Sequence, residues 1–186
     1  EILEGMEFHG IVIATLFKES VLRFTTRLDK MQIPYVLIDA FIENTHCLAY
    51  YGTNSFNSGY IAAKLMYQQI GPDDKLAVFR FIRKGDSCST QVLKREEGFR
   101  TYLDENHFRG TIYPVHIHAD DNEGNRNILD SFFLLHGDVK AGIIFNSRVH
   151  VLGDYFKARK KKDFMLIGYD ILDENVAYLN NGLVTH

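Results

Sequence analysis

The sequence predicts an α/β protein with parallel sheets flanked by helices, on three observations. Short apolar runs rich in Ile, Val, Leu and aromatic residues alternate with longer segments of helical period. The apolar runs are bounded by turn residues and lie one helix apart, the pattern of βα units building a parallel sheet. With 46% hydrophobic and 24% charged residues among 186, the chain has ample material for the core of one domain or of two small lobes.

The elements follow in order. Gly10–Ala14 is the first strand, and a helix over Ser20–Met31 is separated by Gln32-Ile33-Pro34 from the strand Tyr35–Ile38. Leu48–Tyr51 is the third strand. Asn54 is placed to cap a helix over Ser55–Ile70, which Gly71-Pro72-Asp73 stops. The strand Lys75–Phe81, the helix Thr90–Asn106 and the strand Thr111–His116 come next. After them come the helix Glu123–His136, the strand Ala141–Phe145, the helix Val149–Arg159 and the strand Phe164–Gly168. The basic run Arg159-Lys160-Lys161-Lys162 closes a helix and favours that helix's own macrodipole, so it reads as a solvated face. A start at Glu1 without an initiator methionine, and a final Val184-Thr185-His186 that reads as a strand beginning, suggest a fragment.

Composition narrows the function. A formal net charge of -3 gives no bulk attraction for a polyanion, so any DNA contact is expected from sequence outside this segment. Cys47 and Cys88 lack CxxC or Cys/His spacing, which indicates neither a disulfide framework nor a zinc site and suits a cytoplasmic protein. The chain displays no membrane-length apolar run and no secretory leader. It also has no GxSxG, GxxxxGK[ST], GxGxxG or HExxH motif, so no catalytic residue, cofactor or metal is assigned. The His116-Ile117-His118 segment with Asp120-Asp121 is a conceivable metal grouping, but a solvated strand-to-helix loop accounts for it better.

In open α/β sheets ligands bind outside the carboxyl ends of the strands. There the sequence places Thr15, Asp39, Arg80, Asn146 and Asp170. Two carboxylates, an amide, a hydroxyl and a guanidinium together can donate to and accept from many hydroxyls at once, which is how a sugar or polyol is held. Phe17, Tyr51, Phe81 and Tyr169 are candidates to pack on the apolar face of a sugar ring. Capping of the following helix or turn is the competing role for each acidic position.

Leu93-Lys94-Arg95-Glu96-Glu97-Gly98-Phe99 resembles the R-x-x-G-F/W helix of the LacI/GalR effector domain, which has the two-lobed type I periplasmic-binding-protein fold. His9-Gly10-Ile11-Val12-Ile13 is similar to that family's D-G-I-I-I strand, and Ile33 to Asp39 is similar to its I-P-V-V-x-x-D strand. Asn54 to Tyr60 with Ala62 and Leu65 resembles its D-N-x-x-G-G-x-x-A-x-x-L helix start. Lys140 to Ser147 and Phe164 to Asp170 resemble its strands ending in N-D and V-V-G-F/Y-D. Departures are Ser147 for the usual aspartate, Ile171 where a second acidic residue often stands, and Asn54 for aspartate.

The resemblance implies that Asp39, Arg95, Asn146 and Asp170 contact a sugar-like effector, with Gln91, one helical turn before Arg95, a further candidate beside Arg80 and Thr15. It implies a partial N-terminal lobe over residues 1–52, a C-terminal lobe over 53–183 and a crossover at 184–186, with the ligand in the cleft between lobes. It implies a homodimeric, cytoplasmic bacterial transcription regulator that meets operator DNA through an N-terminal helix-turn-helix absent from this chain. The rival expectation is a periplasmic sugar-binding protein of a transporter or membrane sensor. An α/β enzyme is a third class, disfavoured by the missing nucleophile and phosphate motifs.

Overall fold

The structure is a computed structural model that describes residues 8–15, 17–82, 89–118, 121–161 and 163–186. Its elements run β1 (Ile11–Ala14), α1 (Lys18–Lys30), β2 (Tyr35–Asp39), β3 (Ala49–Gly52), α2 (Ser55–Tyr67) and β4 (Lys75–Ile82). They continue with α3 (Thr90–Glu105), β5 (Ile112–His118), α4 (Asn122–Leu135), β6 (Val139–Ile144), α5 (Val149–Arg159), β7 (Met165–Ile167) and α6 (Asp173–Asn180). Every strand pairing is parallel, in a three-stranded sheet ordered β1-β2-β3 and a four-stranded sheet ordered β5-β4-β6-β7. The predicted α/β architecture is the one observed.

The larger sheet is covered on both faces. Leu76, Ala77, Val78 and Phe79 of β4 are all buried, and their alternation sends them to two different cores. Leu76 and Val78 join Ala141, Ile143 and Phe145 against Ala62, Ala63 and Met66 of α2 and Phe99 and Leu103 of α3. Ala77 and Phe79 join Val115, Ile117 and Ile144 against Leu129 of α4 and Leu152, Tyr155 and Phe156 of α5. The smaller sheet has its own core, in which Ile13, Tyr35 and Leu37 meet Val21 and Leu28 of α1.

Helix starts follow local chemistry. The Asn54 Oδ1 accepts from the Asn57 backbone N–H at 2.9 Å, the predicted cap, and Ser89 and Asp121 cap α3 and α4 in the same way. The Asp74 carboxylate accepts from the Gly71 N–H at 2.8 Å, which tightens the turn that stops α2.

The differences from expectation have physical causes. Helix α6 was not foreseen, because its single buried residue is the polar Asn175 and no apolar period marks it. Strand β5 runs on to His118, whose N–H and C=O are both engaged by the Asn125 side chain at 2.7 Å. At Thr185 and His186 no strand is assigned, but the Thr185 N–H donates to the Leu166 carbonyl at 2.8 Å and the Gly168 N–H to the His186 carbonyl at 2.9 Å. The basic run has structural partners: Arg159 pairs with Asp130 of α4, and the Lys161 ammonium lies 4.8 Å from the Phe133 ring centre. Lys162 lies outside the described residues, as do Cys88 and Asp120.

Helices α2 and α3 touch backbone to backbone. A Cβ on Gly59 would stand 1.8 Å from the Arg95 carbonyl oxygen, and one on Gly98 would stand 2.0 Å from that of Phe56. Neither neighbour is a side-chain tip that can swing aside. Gly59→Ala and Gly98→Ala are each expected to lower unfolding free energy by about 3 kcal/mol or more, above the usual overpacking range; urea denaturation measures it.

Candidate functional site

The carboxyl ends of the strands of both sheets supply the candidate residues. Asp39 closes β2 with φ of +81°, and Asp170 follows β7 with φ of +68°. Aspartate tolerates this left-handed region better than most residues. Both side chains are exposed. The Asp39 carbonyl accepts from the Tyr50 hydroxyl at 2.9 Å, and the Thr53 carbonyl lies 3.2 Å from the same hydroxyl. Burial raises the Tyr50 pKa, the Asp39 charge adds to that, and Arg95 opposes it.

Thr15 is a fastener between β1 and β2. It is buried, its hydroxyl lies 2.9 Å from the Ile38 carbonyl and 2.7 Å from that of Ala40, and it accepts from the Ala40 N–H at 2.7 Å. Its hydrogen-bonding capacity is committed to the backbone of the β2 end, where the sequence offered it as a ligand contact.

Arg95 is buried at the heart of the larger lobe, at 5% exposure. Its Nη1 donates to the Phe145 carbonyl at 2.9 Å and its guanidinium lies 4.1 Å from the Tyr169 ring centre. Its Nε has no hydrogen-bond partner among the described residues. A buried donor left in that state costs about 1–3 kcal/mol. Tyr169 is tied in turn to α2, donating from its hydroxyl to the Ser58 carbonyl at 3.1 Å, and burial raises its pKa.

Two recesses flank this centre. One of about 320 Å³ lies where the smaller sheet meets α2 and α3, lined by Phe41, Glu43, Tyr50, Thr53, Gln91 and Lys94 among others. The other, of about 340 Å³, opens at the ends of β4, β5 and β6 and the start of α3, and Arg80, His116, Asn146 and Arg148 line it. The structure thus brings Arg80 and Asn146 to one recess and Gln91 to the other. Asp39, Arg95 and Asp170 are not lining residues of these two, although Gly52, the register partner of Asp39, lines the first and Phe145, which binds Arg95, lines the second.

Arg80 is engaged with Glu96 of α3. Its Nη2 and Nε donate to the two carboxylate oxygens at 2.6 and 3.1 Å, and Arg100 donates to the same group at 2.9 Å. Burial pushes the Glu96 pKa up, but the two guanidinium groups outweigh it and hold the carboxyl below its ordinary range.

Asn175 is a functional candidate that the sequence did not reveal. Its Nδ2 lies 2.9 Å from the Ser147 carbonyl and 3.1 Å from those of Tyr169 and Asp170, and its Oδ1 accepts from the His150 N–H at 3.1 Å. One buried amide therefore fixes the turns after β6 and β7, which carry Asn146 and Asp170. Only a register that places a buried polar residue on a short helix would have betrayed it. Of the His-Asp segment that was set aside as a metal grouping, Asp121 caps α4 and Asp120 lies outside the described residues.

The sequence matches, over residues 2–186, the family model described as a periplasmic binding protein domain. The chain belongs to that family. This periplasmic-binding-protein domain superposes on a protein described as "a putative LacI transcriptional regulator from Bacteroides fragilis" with a TM-score of 0.88 and 41% identity, over 95% of this chain and 61% of that one. GanP, a glucose-galactose binding protein from Geobacillus stearothermophilus, gives a TM-score of 0.75 at 19% identity, over 95% of this chain and 62% of that one. An ABC transporter solute-binding protein from Burkholderia graminis, in complex with D-arabinose, gives 0.78 at 16% identity, over 94% and 61%. These last two identities bear on fold alone. The chain spans about three fifths of the length of each of these structures. A search of curated proteins returns no match. Among the described residues no helix is long and apolar enough to cross a membrane.

Two outcomes follow from this geometry. Asn175→Asp keeps the shape but removes the donor to three carbonyls, and is expected to destabilise the domain by about 2 kcal/mol, the cost of orphaned buried acceptors, read by chemical denaturation. Glu96 has a lowered folded-state pKa, so its contribution is present above its unfolded value near 4.3 and is lost as pH falls through the lower folded value. Glu96→Gln is expected to flatten the decline in melting temperature as pH falls below about 4.5, close to that unfolded value, when both forms are scanned by calorimetry.

Proposed function

We propose that this chain is the effector-binding part of a LacI-type transcription regulator, taking a sugar or sugar derivative in the cleft between its two sheets. The observation that carries the reading is the 41% identity, spread over 95% of the chain, to the Bacteroides fragilis protein described as such a regulator. The chemistry is in keeping with it. Asp39 stands at the end of one sheet, while Asn146, Asp170 and the Arg95 centre belong to the other, so a polyhydroxylated ligand that touches both favours the closed arrangement of the lobes. In this reading residues 1–52 belong to the N-terminal lobe, 53–183 to the C-terminal lobe and 184–186 to the crossover. The domain is a binding module rather than an enzyme.

In the whole protein, closure is passed through a homodimer interface to an N-terminal helix-turn-helix on operator DNA, and the protein resides in the cytoplasm. A transporter's binding protein with the same cleft would bind sugar without any effect on DNA.

The test is a thermal-shift screen of the complete protein against neutral sugars, sugar acids and sugar phosphates. A ligand at a hundred times its Kd contributes about 2.7 kcal/mol, a rise of about 5–10 °C for a domain of this size. Asp170→Asn and Arg95→Lys are expected to lose tenfold or more in affinity by calorimetric titration. Retained affinity in both variants would refute the site, and a ligand that leaves DNA binding unchanged would refute the regulatory role.

A further inference from the structure

We infer that the ligand of this cleft carries an anionic group, a carboxylate or a phosphate, and that Arg148 is its counter-charge. The inference rests on the cleft reading above and adds the charge class.

The recess at the ends of β4, β5 and β6 has an apolar floor of Phe79, Phe81 and Phe145 and a polar rim. Among the described residues its charged or titratable lining is Arg80, His116 and Arg148, with no carboxylate. This departs from the chain as a whole, in which 24 acidic residues outnumber 21 basic ones. Behind Arg80, the Glu96 carboxylate is shared by two guanidinium groups, those of Arg80 and Arg100.

Arg148 differs from the paired arginines of the molecule. Arg80 and Arg100 share Glu96, Arg109 pairs with Asp73, and Arg159 pairs with Asp130. The Arg148 guanidinium instead lies 5.1 Å from the Phe81 ring centre and has no carboxylate partner among the described residues. Its backbone is fixed, because its N–H donates to the Asn146 Oδ1 at 3.0 Å. An aromatic face under a guanidinium orients the fork without consuming its donors, leaving them for a planar carboxylate or a phosphate. Ser147 and Asn146 beside it supply hydroxyl and amide groups for the neutral remainder of the ligand.

The experiment titrates the complete protein by calorimetry with D-glucose, D-glucuronate and glucose 6-phosphate, and repeats the series with Arg148→Gln and Arg148→Lys. The expected result is that one of the two anionic sugars binds at least tenfold more tightly than glucose. Which of them does so separates carboxylate from phosphate. Arg148→Gln is expected to remove that preference while leaving the melting temperature of the unliganded protein unchanged, and Arg148→Lys to retain part of it. Equal binding of glucose and both anions, or a preference that survives Arg148→Gln, overturns the inference and leaves the cleft reading standing. If none of the three sugars binds while a broader neutral-sugar panel does, only the charge assignment fails; if no sugar of any class binds, the cleft reading fails and takes this inference with it.

Discussion

Two glycines, one on each of two neighbouring helices, decide how α3 sits in this domain. Gly59 of α2 lies against the backbone of Arg95, and Gly98 of α3 lies against the backbone of Phe56, so each helix fills the notch left by the other. That contact sets the depth of α3 against the sheet. Because Gln91, Arg95 and Glu96 all ride on α3, the same contact sets where the Arg95 guanidinium and the Glu96 carboxylate stand. A shift of an ångström at Gly98 would detach the Arg95 guanidinium from the Phe145 carbonyl and the Tyr169 ring.

The larger lobe is therefore built outward from a mixed apolar and ionic centre. The two cores on either face of the β4 sheet are aliphatic and aromatic, with Phe79 edge to face on Phe164 in one and Phe99 edge to face on Phe145 in the other. At the strand ends the lining turns polar within one or two residues, and several polar groups there are tied to backbone carbonyls or to an ion pair. Thr15 locks the end of the smaller sheet, Asn175 locks two turns of the larger one, and Glu96 gathers two guanidinium groups. A lining held in this way by the fold would limit the ordering cost of binding a ligand.

Much of this was legible in the sequence. The parallel α/β order was plain because β4 and β6 are short apolar runs that only a sheet covered on both faces accommodates. The Asn54 cap followed from side-chain chemistry acting over three residues. Asp39, Asn146 and Asp170 were named as candidates because they follow apolar strands directly. Other features are products of tertiary packing. Nothing local says that the Thr15 hydroxyl turns inward to Ile38 and Ala40, or that Arg80 reaches 16 residues along the chain to Glu96. Helix α6 was hidden because the residue that anchors it is an asparagine, and an apolar period cannot announce a polar anchor.

The backbone at Asp39 and Asp170 carries a further consequence. Both sit at positive φ, a conformation that glycine adopts without steric penalty and that aspartate holds at some cost. Substitution by glycine at either place relieves local strain while deleting a carboxylate that the proposed ligand site would use. Selection for thermal robustness and selection for ligand response would therefore pull these two codons in opposite directions. A mutational scan scored both ways should show them as the positions where the two fitness scales part.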